Sequence, residues 1–217
     1  MRIFKVFSEE EVETINALAN ETQWKDGKAT AKGYAKEIKE NFQITDADPL
    51  FKTKILPIIA GAHRKPGLAN YSQVRDIISP RLASYHEGGH YDWHVDTTLM
   101  QFKRTDLSFT IFLRDPSSYD GGHMEIEMPG GMKMKVKGKL GEMVIYPSGF
   151  LHKVHPVTKG ERRVVVGWLN SHVKSHEHRE RLYEMLTEIA RIKNKFGSAE
   201  AARLNKLYYQ FLRDLTD

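Results

Sequence analysis

Two potential metal ligands, His94 and Asp96, lie two positions apart in a segment with strand-forming residues, SYHEGGHYDWHVD. Residues i and i+2 of a strand project from the same face, so the imidazole and the carboxylate can bind one ion. His152 is a third candidate ligand, at the start of a later predicted strand. Two imidazoles and one carboxylate on one face of a metal suit Fe(II), and they leave coordination positions open for other ligands.

Arg162 follows His152 by ten residues, on the next predicted strand. A guanidinium is a rigid fork that holds a carboxylate through two hydrogen bonds. An arginine here can therefore hold the far carboxylate of a dicarboxylate whose near end chelates the metal. That geometry specifies 2-oxoglutarate.

The composition is that of a globular protein of about one domain, with 217 residues, 40% hydrophobic and 28% charged. The net charge of +5 comes from basic residues interspersed with 28 acidic ones, which predicts a solvated surface and makes a nucleic-acid partner the weaker interpretation. The chain has no Cys, so protein ligands to a metal must be His or carboxylate. No long apolar run is present, and we expect a cytoplasmic protein without a membrane segment.

Helices are predicted at both ends of the chain. Ser8 and Glu11 form a capping box for a helix over residues 8–22, and a second helix begins near Pro49, with Pro57 expected to kink it or end it early. After residue 172, apolar residues at helical spacing predict a helical hairpin. This hairpin either braces the sheet or forms a subunit contact, so a homodimer stays open.

The middle of the chain contains short segments rich in β-branched and aromatic residues, separated by Gly- and Pro-containing turns. Such spacing predicts a sandwich or barrel that closes over one small ligand. The predicted fold class is therefore mainly β with flanking helices (α+β), with a jelly-roll core. The predicted strands are residues 81–86, 91–97, 107–113, 123–128, 132–137, 142–146, 152–157 and 163–170.

These motifs resemble a known family. His94, Asp96, His152 and Arg162 match the iron(II)/2-oxoglutarate-dependent dioxygenases of the prolyl 4-hydroxylase-like superfamily. The run RTDLSFTIFLRDPSSYDGG, followed by GEMVIYPSGFLHKVHPVTKGERRVVVGWLNS, is similar to bacterial PKHD-type hydroxylases. The resemblance covers about residues 80–185. It implies a double-stranded β-helix over residues 78–171, with an N-terminal helical support region (1–77) and a C-terminal helical hairpin (172–217).

The resemblance also implies roles for single residues. His94, Asp96 and His152 would bind Fe(II) and Arg162 would bind 2-oxoglutarate, while Tyr85 and Trp168 would line the cosubstrate pocket. The position of Phe112 is a Tyr that contacts the cosubstrate in some related enzymes, so the second polar contact is expected from Tyr85 or Thr110. His123 has no assigned role.

The activity implied is hydroxylation of an unactivated C–H with O2, releasing succinate and CO2, with L-ascorbate as an auxiliary reductant. The expected substrate is a peptide or protein, prolyl-like, or a small amino-acid-like molecule. Three alternatives stay open: the same chemistry on a nucleic acid, the same chemistry on another small molecule, or a non-catalytic metal-binding jelly-roll module. The ten-residue spacing from His152 to Arg162 disfavours the nucleic-acid alternative.

Overall fold

A computed structural model describes residues 1–30 and 33–216. Its α-helices are α1 (Glu9–Asn20), α2 (Leu56–Ala62), α3 (Pro66–Ser72), α4 (His176–Phe196) and α5 (Ser198–Leu215). Short 3-10 turns span Gly27–Thr30, Gly33–Lys36 and Pro116–Ser118, and a π-helical turn, Phe51–Ile55, leads directly into α2. The capping box predicted for α1 is present, with Ser8 and Glu11 each accepting from the backbone N–H of the other.

The strands are short, and most of them lie between residues 74 and 171. They are β1 (Arg2–Lys5), β2 (Lys25–Asp26), β3 (Lys39–Glu40), β4 (Phe42–Ile44), β5 (Val74–Tyr85), β6 (His90–His94), β7 (Leu99–Met100), β8 (Lys103–Arg104), β9 (Leu107–Phe112), β10 (Asp120–Gly121), β11 (Met124–Glu127), β12 (Lys133–Val136), β13 (Glu142–Pro147), β14 (His152–Val154), β15 (Val157–Lys159) and β16 (Arg162–Ser171).

Two antiparallel sheets form the body of the fold. The major sheet has the order β1-β13-β9-β16-β5-β4-β2, and the minor sheet has the order β12-β11-β14-β6-β3. Side chains from both sheets share one buried cluster that includes Ala83, Met124, Ile126, Val144 and Val164. The sheets therefore pack face to face, and the predicted jelly roll is confirmed.

The other face of the major sheet is covered by α1, α2 and α3. Strand β9 is buried on both sides: Phe109 and Ile111 face the helices, and Phe112 faces the minor sheet. Because side chains alternate along a strand, Ser108 and Thr110 face the same interior as Phe112. This alternation places polar groups between the sheets.

Several predicted boundaries are wrong. Strand β5 begins at Val74 rather than residue 81, and residues 1–77 contribute strands to both sheets in addition to helices. Those added strands are two to four residues long, too short for a periodic pattern to reveal. The predicted strand 152–157 divides into β14 and β15 around Pro156, which has no N–H for a sheet hydrogen bond. Pro57 does not end its helix early, since α2 continues to Ala62, but the residues directly before α2, Phe51–Ile55, are π-helical rather than α-helical.

The C-terminal hairpin of α4 and α5 has its own apolar core, which includes Leu182, Ile189 and Tyr208. Its first helix is held to the rest of the chain through Glu180. This carboxylate accepts from Arg2 at 2.6 Å and from the Tyr71 hydroxyl at 2.9 Å. These contacts join the hairpin to β1 and α3 of the same chain. No helix in the described part of the chain is both long enough and apolar enough to span a bilayer.

Candidate active site

The two predicted histidine ligands face each other across neighbouring strands of the minor sheet. His94 is the register partner of His152, and their ring centres lie 4.2 Å apart. The Nδ1 atom of His94 is 2.7 Å from the carbonyl oxygen of Asp92, and that of His152 is 2.9 Å from the carbonyl oxygen of Phe150. A carbonyl oxygen only accepts, so each Nδ1 carries the proton and each Nε2 is available to a metal.

Asp96 completes the triad from outside the strand in which it was predicted. Strand β6 ends at His94 because its partner β14 begins opposite, at His152, and the residues before His152 form a turn. The Asp96 carboxylate is held instead by the Ser108 hydroxyl, which donates to Oδ2 at 2.6 Å. The hydroxyl of Ser148 lies 2.8 Å from that of Ser108. The carboxylate is therefore oriented by the major sheet.

The three side chains fit a single metal ion. One ligand atom from each of His94, Asp96 and His152 lies within 4.8 Å of the others, and His152 Nε2 is 3.7 Å from Asp96 Oδ2. Burial, and then the neighbouring His152, lower the pKa of His94 to about 4. The neutral imidazole that binds metals is consequently the form present near pH 7.

Arg162 opens β16 and points into the same interior, opposite Tyr85. Its guanidinium carbon lies 4.9 Å from the Tyr85 ring centre and 5.7 Å from that of Phe112. The side chain is 1% exposed, and its Nε, Nη1 and Nη2 atoms have no hydrogen-bond partner among the described residues. A buried charge without a partner is costly, so this guanidinium fits the far carboxylate of a bound dicarboxylate.

One cavity of about 410 Å³ contains the triad and Arg162. Tyr85, Trp168 and Thr110 also line it, whereas Phe112 lies buried beside Arg162. The Trp168 Nε1 atom is buried and has no partner in the described part of the chain. Tyr85 is fully enclosed, and burial raises its pKa. The sequence-predicted site residues are thus brought together around one space.

The cavity residues missed from the sequence include Ser108, which orients Asp96, and the four described next. Tyr91 stacks on His94 with ring centres 3.5 Å apart, and Tyr146 lies 5.0 Å from the His152 ring. Lys39 and Arg81 are cations on the cavity wall. The alternation of side chains along a strand could have revealed Arg81, since it lies four residues before Tyr85 on β5 and shares its face. Lys39 had no such signal because it depends on pairing between β3 and β6.

The other arginine at the start of β16, Arg163, points to the opposite side. It donates to Glu161 at 2.8 Å and to Asn20 in α1 at 3.0 Å, so it links the major sheet to a helix.

His123, Glu125 and His155 form a second group of possible ligands, on the outer face of the minor sheet. His155 Nε2 is 2.5 Å from Glu125 Oε2, and Lys135 and Lys153 are the register partners of Glu125. The lysines flanking Glu125 and its existing contact with His155 disfavour a cation there.

Comparisons with known proteins agree with this site. Residues 80–170 match the model of the 2OG-Fe(II) oxygenase superfamily. A PKHD-type hydroxylase from Acidovorax ebreus is 36% identical over 219 residues, covering 97% of this chain and 96% of that protein.

Two solved structures share the fold. A Pseudomonas putida prolyl-4-hydroxylase has a TM-score of 0.56 at 17% identity, covering 78% of this chain and 91% of that one. A Trichoplax adhaerens prolyl hydroxylase in complex with a hypoxia inducible factor oxygen degradation domain peptide fragment has a TM-score of 0.53 at 14% identity, covering 83% and 86%. The resemblance found in the sequence is confirmed: this chain belongs to the PKHD-type hydroxylases of the 2OG-Fe(II) oxygenase superfamily and is a 2-oxoglutarate-dependent dioxygenase.

Proposed function

We propose that this enzyme hydroxylates an unactivated C–H of a peptidyl, prolyl-like substrate and releases succinate and CO2. The observation that carries the proposal is the position of the Arg162 guanidinium. It lies without a protein partner in the cavity that also holds the Nε2 atoms of His94 and His152 and the Asp96 carboxylate. A metal site and a buried carboxylate receptor in one enclosed space are the requirements of this chemistry.

In this proposal His94, Asp96 and His152 hold Fe(II), and Arg162 holds the far carboxylate of 2-oxoglutarate, with Tyr85 and Trp168 beside it. Fe(II) with 2-oxoglutarate and O2 supplies the oxidising power that converts C–H into C–OH. The protein contributes orientation. The backbone carbonyls behind the two imidazoles fix the ring positions, and Ser108 fixes the carboxylate.

Two features support a peptide as the substrate. The Trichoplax adhaerens relative in fold was solved with a peptide fragment bound. In addition, the exposed side chains of Val95 and Leu99 line the cavity and offer apolar contacts to a chain that enters it. A substrate side chain would then reach the triad while the flanking residues stay at the surface.

Further parts of the proposal concern the setting of the reaction. We place the enzyme in the cytoplasm, with L-ascorbate as the reductant that restores oxidised iron. Residues 78–171 would form the catalytic core, 1–77 its support and 172–217 the bracing hairpin.

The test combines binding with turnover. Anaerobic addition of Fe(II) and 2-oxoglutarate should produce the weak visible charge-transfer band of the chelate, and air should then yield succinate. His152→Ala should abolish the band, whereas His155→Ala, which removes an outward-facing imidazole from the residue after the same strand, should keep it. Absence of both band and succinate in the wild type would favour a non-catalytic metal-binding module.

A panel of proline-containing peptides, free amino acids and alkylated oligonucleotides then identifies the substrate class, and stimulation by oligonucleotides alone would contradict the peptidyl assignment.

A further inference from the structure

Two cations line the cavity besides the arginine already described. Lys39 belongs to the minor sheet and Arg81 to the major sheet, so they come from opposite walls. The Lys39 Nζ atom lies 5.3 Å from the ring centre of Tyr91, which itself stacks on His94. The Arg81 guanidinium carbon lies 5.0 Å from the ring centre of Trp168. Both charges therefore border the space in front of the metal ligands.

Neither cation has an acidic partner. Lys39 is 6% exposed, and its Nζ atom donates to the hydroxyl of Thr30 at 3.1 Å. Arg81 Nε donates to the carbonyl oxygen of Ser79 at 3.2 Å. Within residues 1–30 and 33–216, no carboxylate lies within the 4.0 Å ion-pair distance of either side chain. Burial, and then the charge of Arg81, lower the pKa of Lys39 to about 8.

Two partly buried arginines outside the cavity are paired with carboxylates, whereas the buried Arg179 donates to the backbone carbonyls of Val173 and Lys174. Arg2 meets Glu180 at 2.6 Å and Arg114 meets Glu161 at 2.5 Å. Placing a charge in a poorly hydrated site without a counter-charge costs free energy that the fold must offset elsewhere. Unpaired cations that persist in a ligand cavity are therefore best explained by an anion that arrives with a ligand.

The bound metal and cosubstrate do not provide that anion. The two positive charges of Fe(II) are offset in part by Asp96, and the two negative charges of 2-oxoglutarate are offset in part by Arg162. Fe(II) with Asp96 keeps one net positive charge, and 2-oxoglutarate with Arg162 keeps one net negative charge. The four groups together are therefore neutral. Asp46 attracts Arg81 and Asp26 attracts Lys39, but only from beyond ion-pair distance, so neither cation forms an ion pair with a described residue before the substrate enters.

We propose that Lys39 and Arg81 form an anion subsite that binds a carboxylate of the substrate, next to the C–H that is hydroxylated. This inference rests on the proposed function, because it names a property of the same substrate. The planar fork of Arg81 suits a carboxylate, and Lys39 supplies a point charge from the opposite wall. The carboxylate belongs either to an acidic side chain of a peptide or to a free carboxyl terminus.

A phosphodiester chain fits the surroundings less well. Val95 and Leu99, on the cavity wall, are apolar and exposed. Exposed lysines such as Lys133 and Lys135 belong to the outer face of the minor sheet, on the side opposite the cavity. No described basic track therefore leads a nucleic-acid backbone toward Lys39, and an acidic peptide is the better match.

The experiment uses blocked peptides of one length that contain a single proline flanked by aspartate, asparagine, lysine or phosphoserine. A fifth peptide contains asparagine and a free carboxyl terminus, and free acidic amino acids form a further arm. Succinate release in air and peptide binding to the anaerobic Fe(II)–2-oxoglutarate complex are measured with wild-type enzyme. We expect the aspartate peptide, or the peptide with the free terminus, to exceed the blocked asparagine peptide by about tenfold or more in kcat/KM, since one charge-assisted contact is worth at least that factor.

Variants then assign the effect. Lys39→Met and Arg81→Gln should each raise KM for the favoured peptide by about tenfold to hundredfold while the Fe(II)–2-oxoglutarate band stays unchanged. Lys135→Met and Arg75→Gln are matched controls, exposed residues on strands of the same two sheets, and should behave as wild type.

Several outcomes would overturn the subsite. They are equal turnover and equal binding of the aspartate, free-terminus and blocked asparagine peptides by wild-type enzyme, together with no stimulation by free acidic amino acids; a preference for phosphoserine; or loss of the band in Lys39→Met or Arg81→Gln. The wild-type comparison decides even when a variant fails to fold. Stimulation by free acidic amino acids and by no peptide would retain the anion subsite and overturn the peptidyl assignment. Equal use of acidic and neutral peptides would retain the peptidyl assignment and overturn the anion subsite.

Discussion

Replacement of Lys39 by Met removes a buried positive charge without an ion-pair partner among the described residues, and it changes the shape of the side chain little. Burial, and then Arg81, lower the pKa of Lys39 from 10.5 to about 8, while Asp96 and Asp26 act in the opposite direction. Among the described residues, the Tyr91 ring is a further titratable neighbour, with its centre 5.3 Å from Lys39 Nζ. We expect Lys39→Met to be more stable than wild type at pH 7.

The magnitude follows from the pKa. One pKa unit corresponds to about 1.4 kcal/mol, so the shift from 10.5 to about 8 means that protonated Lys39 costs the folded state roughly 3 kcal/mol. The variant loses the hydrogen bond from Lys39 to Thr30, worth about 1 kcal/mol. The net expectation at pH 7 is a gain of about 2 kcal/mol in the free energy of unfolding.

The pH dependence has a definite sign. Because the folded-state pKa of Lys39 lies below the unfolded value, both states carry the proton below about pH 8, and the full cost is present there. Between about pH 8 and 10.5 the folded state releases the proton while the unfolded state keeps it, so wild-type protein regains stability. The advantage of the variant should therefore fall below about 1 kcal/mol by about pH 9.5.

Urea unfolding of metal-free protein at pH 7 and about pH 9.5 measures the difference in free energy of unfolding between the variant and wild type. Urea is the denaturant of choice because it is uncharged and does not screen charge. Lys135→Met, which removes an exposed lysine, should differ little from wild type at either pH. A Lys39→Met protein less stable than wild type at pH 7, or an advantage that does not change with pH, would refute the reasoning.

Three further substitutions address the ligand sites. Arg162→Ala should raise KM for 2-oxoglutarate by about a hundredfold or more and leave Fe(II) affinity, measured by equilibrium dialysis, unchanged; lost iron would contradict its role. Gly122→Ala should raise the same KM by about tenfold in steady-state assays, because an added Cβ would lie 3.1 Å from Arg162 Cδ and Gly122 has a φ of +60°. Ser108→Ala should weaken Fe(II) binding by about tenfold to a hundredfold in the same dialysis, since Asp96 loses its orienting donor; an unchanged affinity would show that this bond is dispensable.

The ligand residues were accessible from the sequence because their chemistry constrains spacing. His94 and Asp96 are two positions apart, a spacing that predicts side chains on one face of a strand, and Arg162 follows His152 by ten residues, as in the family that the sequence resembles. The prediction erred in the local backbone, since Asp96 lies beyond the end of β6. Strand length depends on where the partner strand begins, which single-chain periodicity does not encode. Lys39 was missed for the same reason, because only the pairing of β3 with β6 brings it to the cavity.

Arg162 and Arg163 show how to separate a proposed binding residue from a supporting one. They are adjacent, of one type, and both buried. Arg163 is satisfied by Glu161 and by side chains of α1, whereas Arg162 has no hydrogen-bond partner in the described structure. Burial of a charge is thus no indicator of function in this fold, and lack of a counter-charge is not sufficient either, since the buried Arg179 donates to the backbone carbonyls of Val173 and Lys174 outside the cavity. The criterion that marks Arg162 is the lack of a counter-charge together with a place on the cavity wall. By that criterion Lys39 belongs with Arg162, and the cavity is built for a second anion besides its cosubstrate.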